Sequence, residues 1–193
     1  MQLNIKKNIS LVLLSRTIVI ISRIISIYIL SKYLSSSDYG IYFFIFTLII
    51  FLSNTALFGI NYSNIYFGAN KRLDNKLLIG NSLFIGTFIG LILVILINLL
   101  PFILIRMFND INNYTLFIAS LAIPISICLR YLEGYFNGIE DYKKYFFSFS
   151  FTWFMQSTFL IILYYLNYIN ILNTIYSFVF SRSIALFLSI YLF

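Results

Sequence analysis

Two arginines lie seven residues apart in a stretch of the chain that is otherwise strongly apolar. The stretch reads SRTIVIISRI, runs from Ser15 to Ile24 and contains Arg16 and Arg23. Seven residues make almost two helical turns, so a helix would place both guanidinium groups on one face. An arginine near the middle of a membrane costs at least about 2.5 kcal/mol and is therefore a candidate for function. Because a guanidinium forms paired hydrogen bonds with phosphate, this pattern indicates an anion-binding site.

The depth of each arginine within its apolar stretch gives it a different expected role. At about 1.5 Å per residue, Arg16 lies roughly 10 Å into the first stretch, and Arg23 lies roughly 20 Å in, near mid-membrane. Arg182 is midway along the last apolar stretch. Arg130 is near the cytoplasmic end of the fourth stretch, where we expect it to snorkel to the interface or to form an ion pair. The candidate substrate-binding residues of a cavity are therefore Arg23, Arg16 and Arg182.

Several apolar stretches also carry small polar residues on one helical face. Two interpretations remain open, because such residues either form hydrogen bonds between helices or line a wet, cationic cavity. The polar residues that follow this spacing are Ser15, Ser22 and Ser26; Asn54 and Asn61; Ser148, Thr152 and Gln156; and Thr174, Ser177 and Ser181.

The composition argues against several other kinds of site. The chain has no histidine, and its single cysteine, Cys128, lies in an apolar run, so we expect no metal site, no cofactor and no internal disulfide. The net charge of +7 comes from basic residues between apolar stretches, which does not indicate nucleic-acid binding. The few acids fall in loops or near the ends of stretches, so paired carboxylates for catalysis are hard to assemble and we predict no enzyme. These acids are Asp38, Asp74, Asp110, Glu133, Glu140 and Asp141.

The overall composition predicts a membrane protein. Of the 193 residues, 61% are hydrophobic and 10% are charged, whereas soluble domains have about 45–50% and about 25%. A membrane-crossing helix needs about 20 apolar residues, and backbone groups in lipid must be satisfied within the segment. We therefore predict an all-α polytopic protein with a single helical bundle over residues 1–193. Its six predicted spans are residues 9–34, 39–62, 77–100, 114–136, 145–166 and 171–193.

The distribution of basic residues predicts the orientation. Basic residues are enriched in cytoplasmic loops, and here they are concentrated on the side that holds the N-terminus. With six spans, both termini are then cytoplasmic, in a multi-pass protein of the cytoplasmic (inner) membrane. The predicted cytoplasmic side holds Lys6, Lys7, Lys71, Arg72, Lys76, Lys143 and Lys144, and the other side holds Lys32 and Arg106.

Local signals predict how some helices begin, bend and pack. The sequence SSSD at residues 35–38 offers a helix N-cap. Pro124 is expected to bend the fourth span and Pro101 to close the third. We expect Cys128 to be a small buried apolar residue. Two pairs of glycines with G-x-x-x-G spacing predict close helix packing, namely Gly86 with Gly90 and Gly134 with Gly138.

Three segments resemble the polysaccharide flippases. The segment ISRIISIYILSKYLSSSDYGIYFFIFTLIIFLSNTALFGI, residues 21–60, is similar to the opening of the O-antigen and capsule lipid-linked oligosaccharide transporters. These belong to a superfamily that also contains the MATE drug exporters. An acid–aromatic–glycine step at residues 38–40 and the sequence LFGI at residues 57–60 carry the likeness. The segment EGYFNGIEDYKKYFF, residues 133–147, resembles the family's turn between helices four and five.

This resemblance implies a fold and a function. It implies one lobe of a MATE-like transporter with two lobes of six helices, and therefore a truncated or partial chain or a half-transporter. It also implies export of polyprenyl-diphosphate-linked oligosaccharide by alternating access through a cationic cavity, for surface polysaccharide biosynthesis. Arg23 best matches the family's first-helix cavity arginine, followed by Arg16, while Arg182 is assigned from its depth. The implied partners are the lipid-linked oligosaccharide, membrane lipids, and a second lobe or a second copy of the chain.

Two other functions fit the same composition. One is a membrane enzyme of the same pathway, such as an O-antigen polymerase or a glycosyltransferase. The predicted outer loops are short, however, and their only acids are Asp38 and Asp110, which is little for catalysis outside the membrane. The other is a drug exporter of the MATE type, which would bind organic cations better with intramembrane acids.

Overall fold

The fold is all-α, as the sequence predicts. The structure is a computed structural model that describes the backbone of residues 2–70, 74–103 and 111–193 and the side chains of residues 8–70, 74–101 and 111–193. These residues form α-helices and no strand. The helices are α1 (Gln2–Tyr33), α2 (Ser36–Thr55), α3 (Ile60–Asn70), α4 (Asn75–Ile103), α5 (Asn113–Ser120), α6 (Ala122–Gly138), α7 (Tyr142–Tyr165) and α8 (Ile171–Tyr191).

Six helical segments in the described part of the chain are long and apolar enough to cross a membrane. The fourth segment consists of α5 and α6 together. The chain is therefore a multi-pass membrane protein. Its orientation stays a prediction, because helix length and composition do not show which side of the membrane each end faces. Five of the basic residues that predict it have side chains outside the described residues, namely Lys6, Lys7, Lys71, Arg72 and Arg106. The segments are Asn8–Tyr33, Ser36–Thr55, Asn75–Pro101, Asn113–Gly138, Tyr142–Tyr165 and Ile171–Tyr191.

Helix α6 lies at the centre of the bundle. It packs against α2, α3, α4, α5, α7 and α8, and its residues Ile127, Tyr131 and Phe136 are fully buried. Helix α1 packs mainly along α7, which in turn packs against α8. Side chains on α1, α7 and α8 can therefore meet side chains on α6, although these helices are far apart in the sequence.

The second predicted span ends earlier than the sequence predicts. Helix α2 begins at its Ser35 N-cap, which accepts a hydrogen bond from the Asp38 amide, so the predicted cap is confirmed. The helix stops at Thr55, and the prediction of one span through residue 62 is wrong. Phe58 and Gly59 take positive φ angles of 45° and 78°, which an α-helix does not allow. The apolar run continues through this break into α3.

Two glycines and an asparagine hold α3 against α6. A Cβ atom at Gly134 or Gly138 would collide with the backbone carbonyl oxygens of Asn61 or Ile65, so this close approach requires glycine. The buried Asn64 side chain donates to the Tyr131 carbonyl at 3.1 Å and accepts from the hydroxyl of Ser82 on α4 at 2.9 Å. The predicted close packing by the Gly134 and Gly138 pair is confirmed.

Asn64 is expected to stabilise the bundle through these two interhelical hydrogen bonds. The isosteric substitution Asn64→Leu should lower the free energy of unfolding in detergent by about 1 kcal/mol, since interhelical hydrogen bonds contribute about 0.6–1.7 kcal/mol in membranes. The matched control is Asn70→Leu on the same helix, because Asn70 is exposed and its side chain, among the described residues, donates to the Tyr66 carbonyl of α3 and not to another helix. Equal unfolding free energies for the two variants would contradict this role.

The pair Gly86 and Gly90 allows α4 to pack closely against α6. A Cβ at Gly86 would crowd Tyr131 and the Sγ atom of Cys128, and one at Gly90 would overlap the backbone of Pro124. Cys128 is buried in this contact, as predicted.

Pro101 and Pro124 both lie within helices near a helix end. The fourth span is interrupted at Leu121, and Pro124 lies in the first turn of α6, where a missing N–H is tolerated, so a bend at Pro124 stays a prediction. Helix α4 continues two residues past Pro101 to Ile103, so Pro101 does not itself end the helix, while the apolar segment that could cross a membrane ends at Pro101 within the described residues. One proline removes a single helical hydrogen bond and does not prevent helical angles in the following residues.

Candidate anion-binding cavity

Three arginines from three different helices line one cavity. Arg23 of α1, Arg130 of α6 and Arg182 of α8 face a space of about 160 Å³ that is also bounded by α2 and α7. One acid, Glu133, lies on the same wall, which leaves a net formal charge of +2. We call this space the arginine cavity. The other lining residues are Ile50, Ser53, Asn54, Ser126, Leu129, Phe149, Thr152 and Trp153.

Arg182 is the most deeply buried of the three arginines, with 5% of its surface exposed. Its Nη1 atom donates to the Phe178 carbonyl at 3.2 Å, and its Cζ atom lies 3.6 Å from the centre of the Phe178 ring. The Trp153 ring centre is 5.6 Å away. The side chain is thus held by aromatic rings and one backbone carbonyl, which leave its positive charge unneutralised.

Arg23 contacts the same tryptophan from α1. Its Cζ atom lies 4.1 Å from the centre of the Trp153 ring, within the range of a cation–π interaction. Arg23 lies 15 residues after the first residue and 10 before the last residue of the apolar segment Asn8–Tyr33, well inside the span, as the sequence predicts. Within the described residues, neither Arg23 nor Arg182 forms an ion pair. Both cations can therefore bind a mobile anion without first breaking a salt bridge.

Arg130 differs because it is partly neutralised. Its Nη1 atom lies 3.0 Å from Oε2 of Glu133, one turn further along α6, so of the two expected arrangements the structure shows the ion pair. The Arg130 side chain is 39% exposed and that of Glu133 is 12% exposed. Sequence spacing alone does not place Arg130 or Glu133 in the cavity. The signal was present, since Ser126, Arg130 and Glu133 recur at intervals of four and three on one face of α6.

Arg16 does not line the arginine cavity. It is exposed in a separate groove of about 460 Å³, between the first part of α1 and the start of α7, together with Asn8, Glu140 and Tyr142. The structure therefore brings Arg23 and Arg182 together, adds Arg130, and places Arg16 elsewhere.

Most of the polar stripes form contacts between or within helices. The hydroxyl of Ser189 donates to Ser148 at 2.9 Å, and the Gln156 amide donates to the Tyr42 hydroxyl at 3.0 Å. Thr174 donates to the carbonyl of Asn170, the N-cap of α8, and Ser177 and Ser181 each donate to a carbonyl of α8.

A few polar side chains do face the cavity. Asn54 and Thr152 are on its wall, while Asn61 is separated from Asn54 by the break after α2. The buried Oγ atom of Ser53, also on the wall, has no hydrogen-bond partner among the described residues. It is therefore available to a ligand or to water.

An apolar groove of about 340 Å³ adjoins the arginine cavity. The two spaces share Arg23, Ile50 and Trp153, and the groove continues past apolar side chains of α1 and α2 such as Leu30 and Phe43. A molecule with an anionic group and an apolar part would find both kinds of surface side by side. The described residues contain no cluster of three His, Cys, Asp or Glu side chains that could hold a metal ion.

Comparison with known proteins assigns no family to the chain. No protein-family model matches it, and no curated protein or solved structure matches it at a significant level. The resemblance to polysaccharide flippases rests on the sequence features alone and stays a prediction.

Proposed function

We propose that the chain transports a polyprenyl-diphosphate-linked oligosaccharide across the cytoplasmic membrane, for the biosynthesis of a surface polysaccharide. The observation that carries this proposal is the arginine cavity, in which guanidinium groups from three membrane-crossing helices face a common space beside one carboxylate. A charged group inside a membrane costs free energy, so its presence indicates a function. Three arginines around one space indicate that the ligand is an anion. The proposed role is that of a transporter, and we assign no catalytic residue.

The chemistry of a lipid diphosphate fits these side chains. Each phosphate carries negative charge and several acceptor oxygens, which suit the planar fork of arginine N–H donors. Arg23 and Arg182 have no carboxylate partner among the described residues, so they would bind the diphosphate first. Arg130 could exchange its contact with Glu133 for a contact with phosphate. The lipid chain would stay in the bilayer, beside the adjoining apolar groove.

The proposed transport also has an energetically favoured direction. A membrane potential that is negative inside favours outward movement of negative charge by about 2.3 kcal/mol per charge per 100 mV. This direction matches export from a cytoplasmic site of synthesis.

The transporter is proposed to need a second lobe or a second copy of the chain. Arg23 is exposed although it lies deep in α1, so the wall of the arginine cavity is open on this side. Arginine exposed to lipid is unfavourable, and a facing lobe would cover it and complete the cavity. Alternating access would then consist of movements of one lobe against the other.

The proposal is tested in liposomes that contain the purified protein. A fluorescent polyprenyl-diphosphate-linked disaccharide is compared with the same lipid and disaccharide joined by a neutral linker, and exposure of the sugar to an external oxidase is followed with time. We expect the protein to accelerate movement of the diphosphate lipid at least about tenfold more than that of the neutral lipid, since the neutral lipid lacks the group that the arginines bind. Equal acceleration of both lipids, or of neither by protein that is present as a dimer or together with its second lobe, would refute the proposal.

A further inference from the structure

One aromatic ring contacts both of the arginines that lack a carboxylate partner. Trp153 of α7 is the only tryptophan in the chain. Its ring centre lies 4.1 Å from Cζ of Arg23 and 5.6 Å from Cζ of Arg182. Helix α7 packs against both α1 and α8, so its tryptophan connects arginines from the two helices beside it.

An aromatic ring holds an arginine in a different way from a carboxylate. The ring attracts the cation through its quadrupole, but it does not neutralise the charge and offers no lone pair to the N–H groups. The donors of Arg23 and most of those of Arg182 therefore stay available to an anion, although both side chains are held in place. Long arginine side chains lose considerable rotamer entropy when a ligand orders them, and prior contact with a ring reduces that loss.

We propose that Trp153 is a positioning residue, which holds Arg23 and Arg182 close together with their charges and N–H groups free for the diphosphate. This inference rests on the proposed function, because it assigns a role within the same site. Trp153 does not itself bind the anion in this account. Arg182 is also held by Phe178, so loss of the Trp153 ring is expected mainly to release Arg23, which would then move away from the like charge of Arg182.

The test measures binding of inorganic pyrophosphate to the purified full chain in nanodiscs by calorimetry. Trp153→Leu keeps an apolar side chain but removes the ring, and we expect the dissociation constant to rise about tenfold. Trp153→Phe restores a ring and is expected to stay within about threefold of the original chain. Phe154→Leu is the matched control, since it removes an exposed ring from the next position of the same helix. A general structural effect would not be rescued by phenylalanine.

The single tryptophan provides a second readout that needs no substitution. Pyrophosphate bound to Arg23 and Arg182 must change the surroundings of Trp153, so we expect its fluorescence to change with the same midpoint as the calorimetric titration. Unchanged emission during measurable binding would overturn the inference, even if Trp153→Leu failed to fold.

Arg23→Ala separates failure of this inference from failure of the proposed function. If Arg23→Ala weakens binding but Trp153→Leu behaves like Phe154→Leu, the positioning role is wrong and the proposed function stands. If the original chain does not bind pyrophosphate, or if Arg23→Ala binds it equally well, the proposed function fails, and the role of Trp153 fails with it.

Discussion

Replacing Arg23 or Arg182 by alanine is expected to reduce transport of a polyprenyl-diphosphate-linked oligosaccharide by about 100-fold, with membrane insertion unchanged. Loss of one partner from a desolvated, charge-assisted contact costs about 2–5 kcal/mol, and about 2.7 kcal/mol corresponds to a factor of 100. Both residues line the arginine cavity and contact Trp153. The rate is measured in proteoliposomes with equal amounts of inserted protein.

Arg16→Ala is the matched control for these variants. Arg16 lies on the same helix as Arg23, carries the same charge and is seven residues away, but it lines a separate groove. We expect its substitution to change the transport rate by no more than about twofold, because it removes no group from the cavity. An equal loss of transport in Arg16→Ala and Arg23→Ala would show that overall positive charge matters and that the cavity does not.

Gly90→Ala is expected to destabilise the protein strongly. A Cβ atom at this position would overlap Cα and Cβ of Pro124 on α6, and neither the helix backbone nor the proline ring can move aside easily. Helices α4 and α6 would have to separate along their contact. We expect the free energy of unfolding in detergent to fall by about 3 kcal/mol, at the upper end of the usual effect of overpacking.

Gly80→Ala, on the same helix α4, is expected not to destabilise the protein. A Cβ at Gly80 would meet no atom within 4 Å, so the substitution adds no clash. Alanine favours a helix over glycine by about 0.5–1 kcal/mol, and Gly80→Ala should therefore be neutral or slightly stabilising. The two variants are compared by denaturant titration followed by circular dichroism. A smaller loss for Gly90→Ala than for Gly80→Ala would contradict the described packing of α4 on α6.

The sequence predicts the membrane segments well because their signal is local. Runs of about 20 apolar residues determine where a helix can cross lipid, and a serine before such a run predicts the cap at Ser35. The break after Thr55 was missed because it lies within an apolar run and depends on the backbone angles of Phe58 and Gly59. Hydropathy does not report backbone angles, so one predicted span contains the end of α2 and the start of α3.

The sequence indicates a cationic cavity, but it does not show which arginines line that cavity. Sequence spacing gives the depth and the face of a residue on its own helix, but not which helices lie beside it. Arg16 and Arg23 share a face of α1, yet seven residues separate them by about 10 Å along the axis, so they reach different spaces. Arg130 and Glu133 form the predicted kind of local ion pair, and only the central position of α6 brings that pair to the cavity.

In the proposed mechanism, the diphosphate group occupies the arginine cavity. The most direct test uses a polyprenyl diphosphate with a photoreactive group next to the phosphates, cross-linked to the membrane-embedded protein and mapped by mass spectrometry. We expect labels on the stretches of α1, α7 and α8 around Arg23, Trp153 and Arg182, and we expect excess unlabelled diphosphate lipid to suppress them. Labels in the groove of Arg16 or scattered over the apolar outer surface, at levels that Arg23→Ala does not change, would contradict the claim.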